Sequence, residues 1–117
     1  MPIPPQIAAA KYISLTTFKK DGAPVRTALW FAENSGKLCF MTRNDSWKYK
    51  RIRNNPRVSV APCNMRGTVT GPEFPGQARI LPRSEWPAAR AVLRRKYWLL
   101  YLPTWNRKNE FLEIELI

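Results

Sequence analysis

Apolar side chains recur at every second position through much of this chain, the spacing of half-buried β-strands. Residues 13–18 put Ile13, Leu15 and Thr17 on one face, and residues 111–116 set Leu112, Ile114 and Leu116 against Glu113 and Glu115. Residues 25–32 set Val25, Thr27, Leu29 and Phe31 against Arg26, Ala28, Trp30 and Ala32, so both faces are largely apolar. That pattern predicts an interior strand with a ligand or a second subunit on its outer face. Further strands are expected at 37–43, 57–61, 67–71 and 76–81. Asp21-Gly22 and residues 34–37 supply turns, and Pro62 ends the strand at 57–61.

The period changes at Asn44. Asp45 or Ser46 caps an expected helix over 47–53, which Asn54-Asn55-Pro56 stops. A second main helix is predicted from Ser84, with Pro87 in its first turn, to about Tyr97, and a short one at 6–12. About six antiparallel strands with two main helices give a mainly β (α+β) fold. The expectation is a small β-barrel in one domain over residues 1–117.

Composition sharpens the picture. The chain is 44% hydrophobic and 24% charged, an ordinary globular balance, with no internal repeat. It holds no apolar run of about 18 residues, so no helical membrane span is expected. The start lacks the pattern of a secretion signal, and a cytoplasmic protein is the expectation. Twenty Lys and Arg against eight Asp and Glu give a formal charge of +12, which argues for an anionic partner. Cys39 and Cys63 fit neither a disulfide framework nor a metal motif. There is no histidine, which removes histidine-based nucleophile pairs, general bases and metal sites together. No metal site is therefore expected, and if the chain is an enzyme, something other than its own side chains is expected to do the hard chemistry.

The densest chemistry lies between Thr42 and Arg53. Arg43, Lys48, Lys50, Arg51 and Arg53 face one acid, Asp45. A strand ending in hydroxyls and cations, followed by a helix start, offers free N–H groups and positive charge to a phosphate. A plain basic, solvated helix is the competing reading. Elsewhere Trp98, Leu99, Tyr101, Leu102 and Trp105 read as core, dimer interface or a substrate wall. Cys63 reads as a small buried hydrophobe, Glu113 and Glu115 as a solvated face, and Arg90, Arg94 and Arg95 as an exposed face or a site for an acidic tail.

Taken in order, the segments Tyr12-Ile-Ser-Leu-Thr-Thr-Phe18, Asp21-Gly-Ala-Pro-Val25, Trp30-Phe31, Thr42-Arg43, Ser46-Trp-Lys48, Asn55-Pro-Arg-Val58, Ala61-Pro-Cys63 and Arg66-Gly-Thr-Val-Thr-Gly71 resemble the pyridoxamine 5′-phosphate oxidase-like split-barrel proteins. The likeness is greatest to the branch that uses the deazaflavin coenzyme F420. The resemblance implies a six-stranded antiparallel split barrel, homodimeric, with the cofactor in a groove at the subunit interface. It implies that Thr42, Arg43, Ser46 and Lys48 hold the cofactor phosphate, that Val25, Arg26, Thr27 and Ala28 lie against the ring system, and that Pro62 and Cys63 approach from the partner. Trp47 stands in the same set, where oxidases using flavin mononucleotide (FMN) carry arginine; Gln77 is a further ring-contact candidate. The implied function is a deazaflavin-dependent reductase passing hydride to a small conjugated or aromatic molecule, with FMN as the alternative cofactor. A carrier without turnover and a basic barrel binding nucleic acid are the readings from other classes.

Overall fold

The computed structural model describes residues 3–97 and 108–117; the aromatic stretch 98–105 lies outside the described residues. Strands form where the alternation is strongest: β1 (Tyr12–Phe18), β2 (Pro24–Trp30), β3 (Ala32–Asn34), β4 (Lys37–Arg43), β5 (Arg57–Cys63), β6 (Phe74–Ile80) and β7 (Asn109–Leu116). Helices α1 (Pro5–Ala8), α2 (Trp47–Asn54) and α3 (Trp86–Lys96) complete the described chain, with one 3-10 turn at Arg83–Glu85.

All pairing is antiparallel, in the order β2-β1-β5-β6-β7-β4-β3. The two edge strands, β2 and β3, are neighbours in sequence with only Phe31 between them. The sheet must therefore curl until its edges meet, which makes a barrel with one split. Leu38 and Phe40 of β4, Leu112, Ile114 and Leu116 of β7, Ile13 and Leu15 of β1 and Val58 and Val60 of β5 fill the interior. The intervening residues Cys39 and Phe111 pack outward with Ala89, Leu93 and Tyr97 against α3. Gly76 marks where β6 and β7 approach too closely for a side chain. A Cβ there would meet Ile114 Cγ2 at 2.9 Å and the Glu115 carbonyl oxygen at 3.0 Å. Gly76→Ala is expected to cost about 1–2 kcal/mol through overpacking, measurable by urea denaturation.

The structure departs from the sequence pattern in specific places. Seven strands form among the described residues rather than about six: the run expected at 25–32 splits at Phe31, and the run expected at 67–71 forms no strand. The cause of the split is Tyr97, whose hydroxyl accepts the Phe31 N–H at 3.1 Å and lies 2.9 Å from the Phe31 carbonyl and 2.7 Å from that of Lys11. β2 is an edge strand, paired only with β1, rather than an interior one. Its apolar outer residue Trp30 is covered by stacking on Tyr97, ring centroids 5.1 Å apart. Pro62 does not end β5, which continues to Cys63; the Pro62 carbonyl is taken by the Thr70 N–H. Residues 67–71 form no strand, only the single Cys63–Val69 bridge. Ser84 caps nothing, because the 3-10 turn shifts the start of α3 to Trp86. The first helix is shorter than expected, Pro5–Ala8, and Tyr12 already belongs to β1.

Candidate functional site

The end of β4 and the start of α2 are tied together by two hydroxyls. Thr42 Oγ1 and Ser46 Oγ share a hydrogen bond of 3.0 Å, and Ser46 Oγ accepts the Tyr49 N–H at 3.3 Å as the helix N-cap. Tyr49 and Ile52 are buried in the barrel core. Arg51 Nε donates to Thr17 Oγ1 at 2.7 Å, fixing the helix across β1. The next cation, Lys48, is half-buried and forms no ion pair among the described residues. Burial first, and then the nearby Arg51 cation, push its ammonium below the ordinary lysine range. A half-buried cation without a counter-ion, beside an N-capped helix start, is a ready place for an anion.

Arg43 is not free to join it. Its fork closes on Asp45, Nε to Oδ1 at 3.0 Å and Nη2 to Oδ2 at 2.9 Å, and Lys108 approaches the same carboxylate at 3.3 Å. Hydrogen bonding from Arg43 holds the Asp45 carboxyl well below the usual carboxylate range.

On the β2 side, Arg26 is exposed, with Glu73 3.8 Å away. Thr27 is half-buried opposite Leu15, and Ala28 is exposed under Gly67. Val25, opposite Thr17, meets α2 across a cleft of about 1010 Å³ whose walls include Lys19, Lys20, Trp47, Lys50 and Arg51. Trp47 is 71% exposed, with Lys50 Nζ 4.7 Å from its ring centroid. The structure thus brings Thr42 to Ser46, and Val25 to Trp47. It does not bring Pro62 and Cys63 to them within one chain. Those two residues pair with Ile13 and Tyr12, which face Leu29 and Trp30 at the far end of β2, and both are buried. Lys19 and Lys20, adjoining the Asp-Gly turn signal, are cleft residues that the sequence pattern did not mark.

Neither thiol suits nucleophilic work. Burial, reinforced by Glu113, pushes Cys39 up to about 11, and burial also raises Cys63, so both stay protonated near neutral pH.

Glu113 is not on a solvated face. It is buried, accepts Arg79 Nη2 at 2.9 Å and is ion-paired with Lys37 Nζ at 3.5 Å, while Glu115 is exposed. Arg79 also closes on Glu85 at 2.8 Å and 3.0 Å. These hydrogen bonds lower the Glu85 carboxyl. A depressed carboxyl contributes stability above its unfolded value and loses it as pH falls through its folded one. The thermal midpoint is therefore expected to fall on acidification below about pH 4, and more weakly in Arg79→Gln, as scanning calorimetry would show. Arg90, expected on an exposed face, is instead half-buried and lies over the Phe111 ring, centroid distance 5.7 Å, rather than in the cleft.

The antiparallel sheet closes into a split barrel, and at a helix start next to its open edge stand two hydroxyls and a lysine with no ion pair among the described residues. The chain belongs to the pyridoxamine 5′-phosphate oxidase family, whose profile matches residues 3–116. Among solved structures, it is similar to an F420 reductase at 23% identity, covering 98% of this chain and 96% of that one with a TM-score of 0.72. It is also similar to a conserved hypothetical protein from Mycobacterium tuberculosis, 23% identical over 95% of this chain and 76% of that one, TM-score 0.74. The heme storage protein of Vibrio cholerae shares the fold at 15% identity, 100% and 92% coverage and TM-score 0.78. The chain spans only about half the length of two other matched proteins, 48% and 50%. No curated protein matches it.

Proposed function

We propose that the chain is a coenzyme F420-dependent reductase that passes hydride to a small conjugated or aromatic molecule. The observation that carries this reading is the unpaired, half-buried Lys48 beside the Thr42–Ser46 hydroxyl pair, at the edge where β2 leaves room for a flat ring. Thr42, Ser46 and Lys48 would hold the cofactor phosphate, with Val25, Arg26, Thr27 and Ala28 along the ring. Arg43 would act one step back, through Asp45. Held there, a deazaflavin would supply the hydride chemistry. The chain's residues then bind, orient and exclude water, and no histidine is needed.

Trp47 favours the deazaflavin over FMN. Tryptophan in place of the arginine removes one cation from the phosphate site, which suits a singly charged phosphodiester better than a dianionic terminal phosphate. A heme reading draws on the likeness to heme-binding proteins of Vibrio cholerae and Mycobacterium smegmatis, whereas this chain has no histidine and its two thiols are buried and protonated.

The groove is completed by a second copy of the chain. The exposed β2 edge and the exposed Met65 and Val69, at 76% and 41%, support that arrangement. Turnover is tested by mixing the protein anaerobically with reduced deazaflavin and a panel of enones, quinones and nitroaromatics, while following the return of oxidised deazaflavin absorbance. The reading predicts protein-dependent reoxidation with at least one acceptor. Rates equal to the protein-free control throughout would contradict it.

A further inference from the structure

The cleft between α2 and the β1–β2 turn sets cations beside aromatic rings. Lys19, Lys20, Lys50 and Arg51 line it together with Phe18 and Trp47, and none of its lining residues is acidic. Cations in the last turn of a helix are favoured by its dipole, which accounts for Arg51. The dipole does not account for Lys19 and Lys20, which come from the other wall. Asp21 is the acid beside them in sequence, and its Oδ1 accepts the Ala23 N–H at 2.9 Å. Like charges gathered from two elements around one cleft cost electrostatic energy unless an anion occupies it.

The rings narrow the kind of anion. Trp47 is 71% exposed, with Lys50 Nζ 4.7 Å from its ring centroid, and the Arg57 guanidinium lies 5.2 Å from the centroid of Phe18. A bare anion needs no aromatic surface, whereas a planar base joined to a phosphate uses both the ring and the cation. The dimensions agree. Trp47, Lys50, Arg51 and Asn54 fall at i, i+3, i+4 and i+7, one face of α2. At about 1.5 Å per residue that face runs roughly 10 Å. One strand of nucleic acid carries a phosphate about every 3.4 Å, so about three phosphates match that length. A concave cleft of about 1010 Å³ suits a strand better than a flat surface.

We propose that this cleft binds single-stranded nucleic acid without sequence preference, with Lys19, Lys20, Lys50 and Arg51 on the phosphates and Trp47 stacked on a base. It is a second activity of the chain, independent of the deazaflavin reading.

Fluorescence anisotropy of a short labelled oligothymidylate tests it on the wild-type chain and on surface variants whose folding circular dichroism checks. Wild-type affinity is expected to fall roughly 20-fold between about 50 and 200 mM salt, the dependence of about three phosphate contacts on a single strand. Lys20→Gln/Lys50→Gln should weaken binding and remove about two-thirds of that salt dependence. Trp47→Ala should weaken binding about tenfold while keeping the salt dependence, and Trp47→Phe should restore most of the loss. Inorganic polyphosphate, which has no bases, should compete poorly and be indifferent to Trp47→Ala. A wild-type chain that leaves the oligonucleotide unbound at about 50 mM salt would overturn the inference. Unchanged affinity in Trp47→Ala, or polyphosphate competing as well as the oligonucleotide, would reduce the cleft to a bare cationic surface and overturn it too. Co-sedimentation with anionic phospholipid vesicles in place of oligonucleotide binding would assign the cleft to a lipid surface instead.

Discussion

Tyr97→Phe is expected to lower the stability of the fold by about 2–3 kcal/mol, because it leaves buried groups without partners. The Tyr97 hydroxyl accepts the Phe31 N–H at 3.1 Å and gives its single proton to one of two carbonyls, those of Lys11 at 2.7 Å and Phe31 at 2.9 Å. Phe31 is the residue where the chain passes from one edge of the sheet to the other, so its N–H has no ladder partner. A phenylalanine ring keeps the stacking on Trp30 and the apolar burial, which isolates the hydroxyl's contribution. Urea denaturation measures the difference. A loss below about 0.5 kcal/mol, the range of an ordinary surface change, would show that the strand break does not depend on Tyr97.

Lys48→Ala is expected to weaken cofactor binding by about 1.5–3 kcal/mol, roughly 10- to 150-fold, while changing stability little. Lys48 forms no ion pair among the described residues, so its removal strands no partner in the unliganded protein. The half-buried ammonium is pushed below its ordinary range, and an anion bound against it would raise it again. Arg43→Ala should act differently, since it releases Asp45 and leaves a carboxylate near the site, held by Lys108 alone. Titration of both variants separates direct contact from positioning. Unchanged affinity in Lys48→Ala would remove that residue from the phosphate site.

The parts legible in the sequence were those decided within a few residues. Ser46 as N-cap and Asn55-Pro56 as stop framed α2 closely, and the alternation of β1, β4 and β7 gave their interior faces. What escaped the pattern depends on distant partners. The run at 25–32 alternates without interruption, and it breaks only because a tyrosine 66 positions away takes the Phe31 N–H. Glu113 sits at an outward position of β7, yet Arg79 and Lys37 draw it into a buried network. The Thr-Val-Thr at 68–70 has high β-propensity but finds one bridge instead of a ladder. At the site, the hydroxyl pair followed from local sequence, whereas the loss of Arg43 to Asp45 and the gain of Lys19 and Lys20 at the cleft required the folded geometry.

The measurement that bears most directly on the central claim is a fluorescence titration of the purified chain with deazaflavin coenzyme and, separately, with FMN. The account predicts saturable micromolar binding of the deazaflavin and distinctly weaker binding of FMN. A flat deazaflavin titration, or tighter binding of FMN, would contradict it.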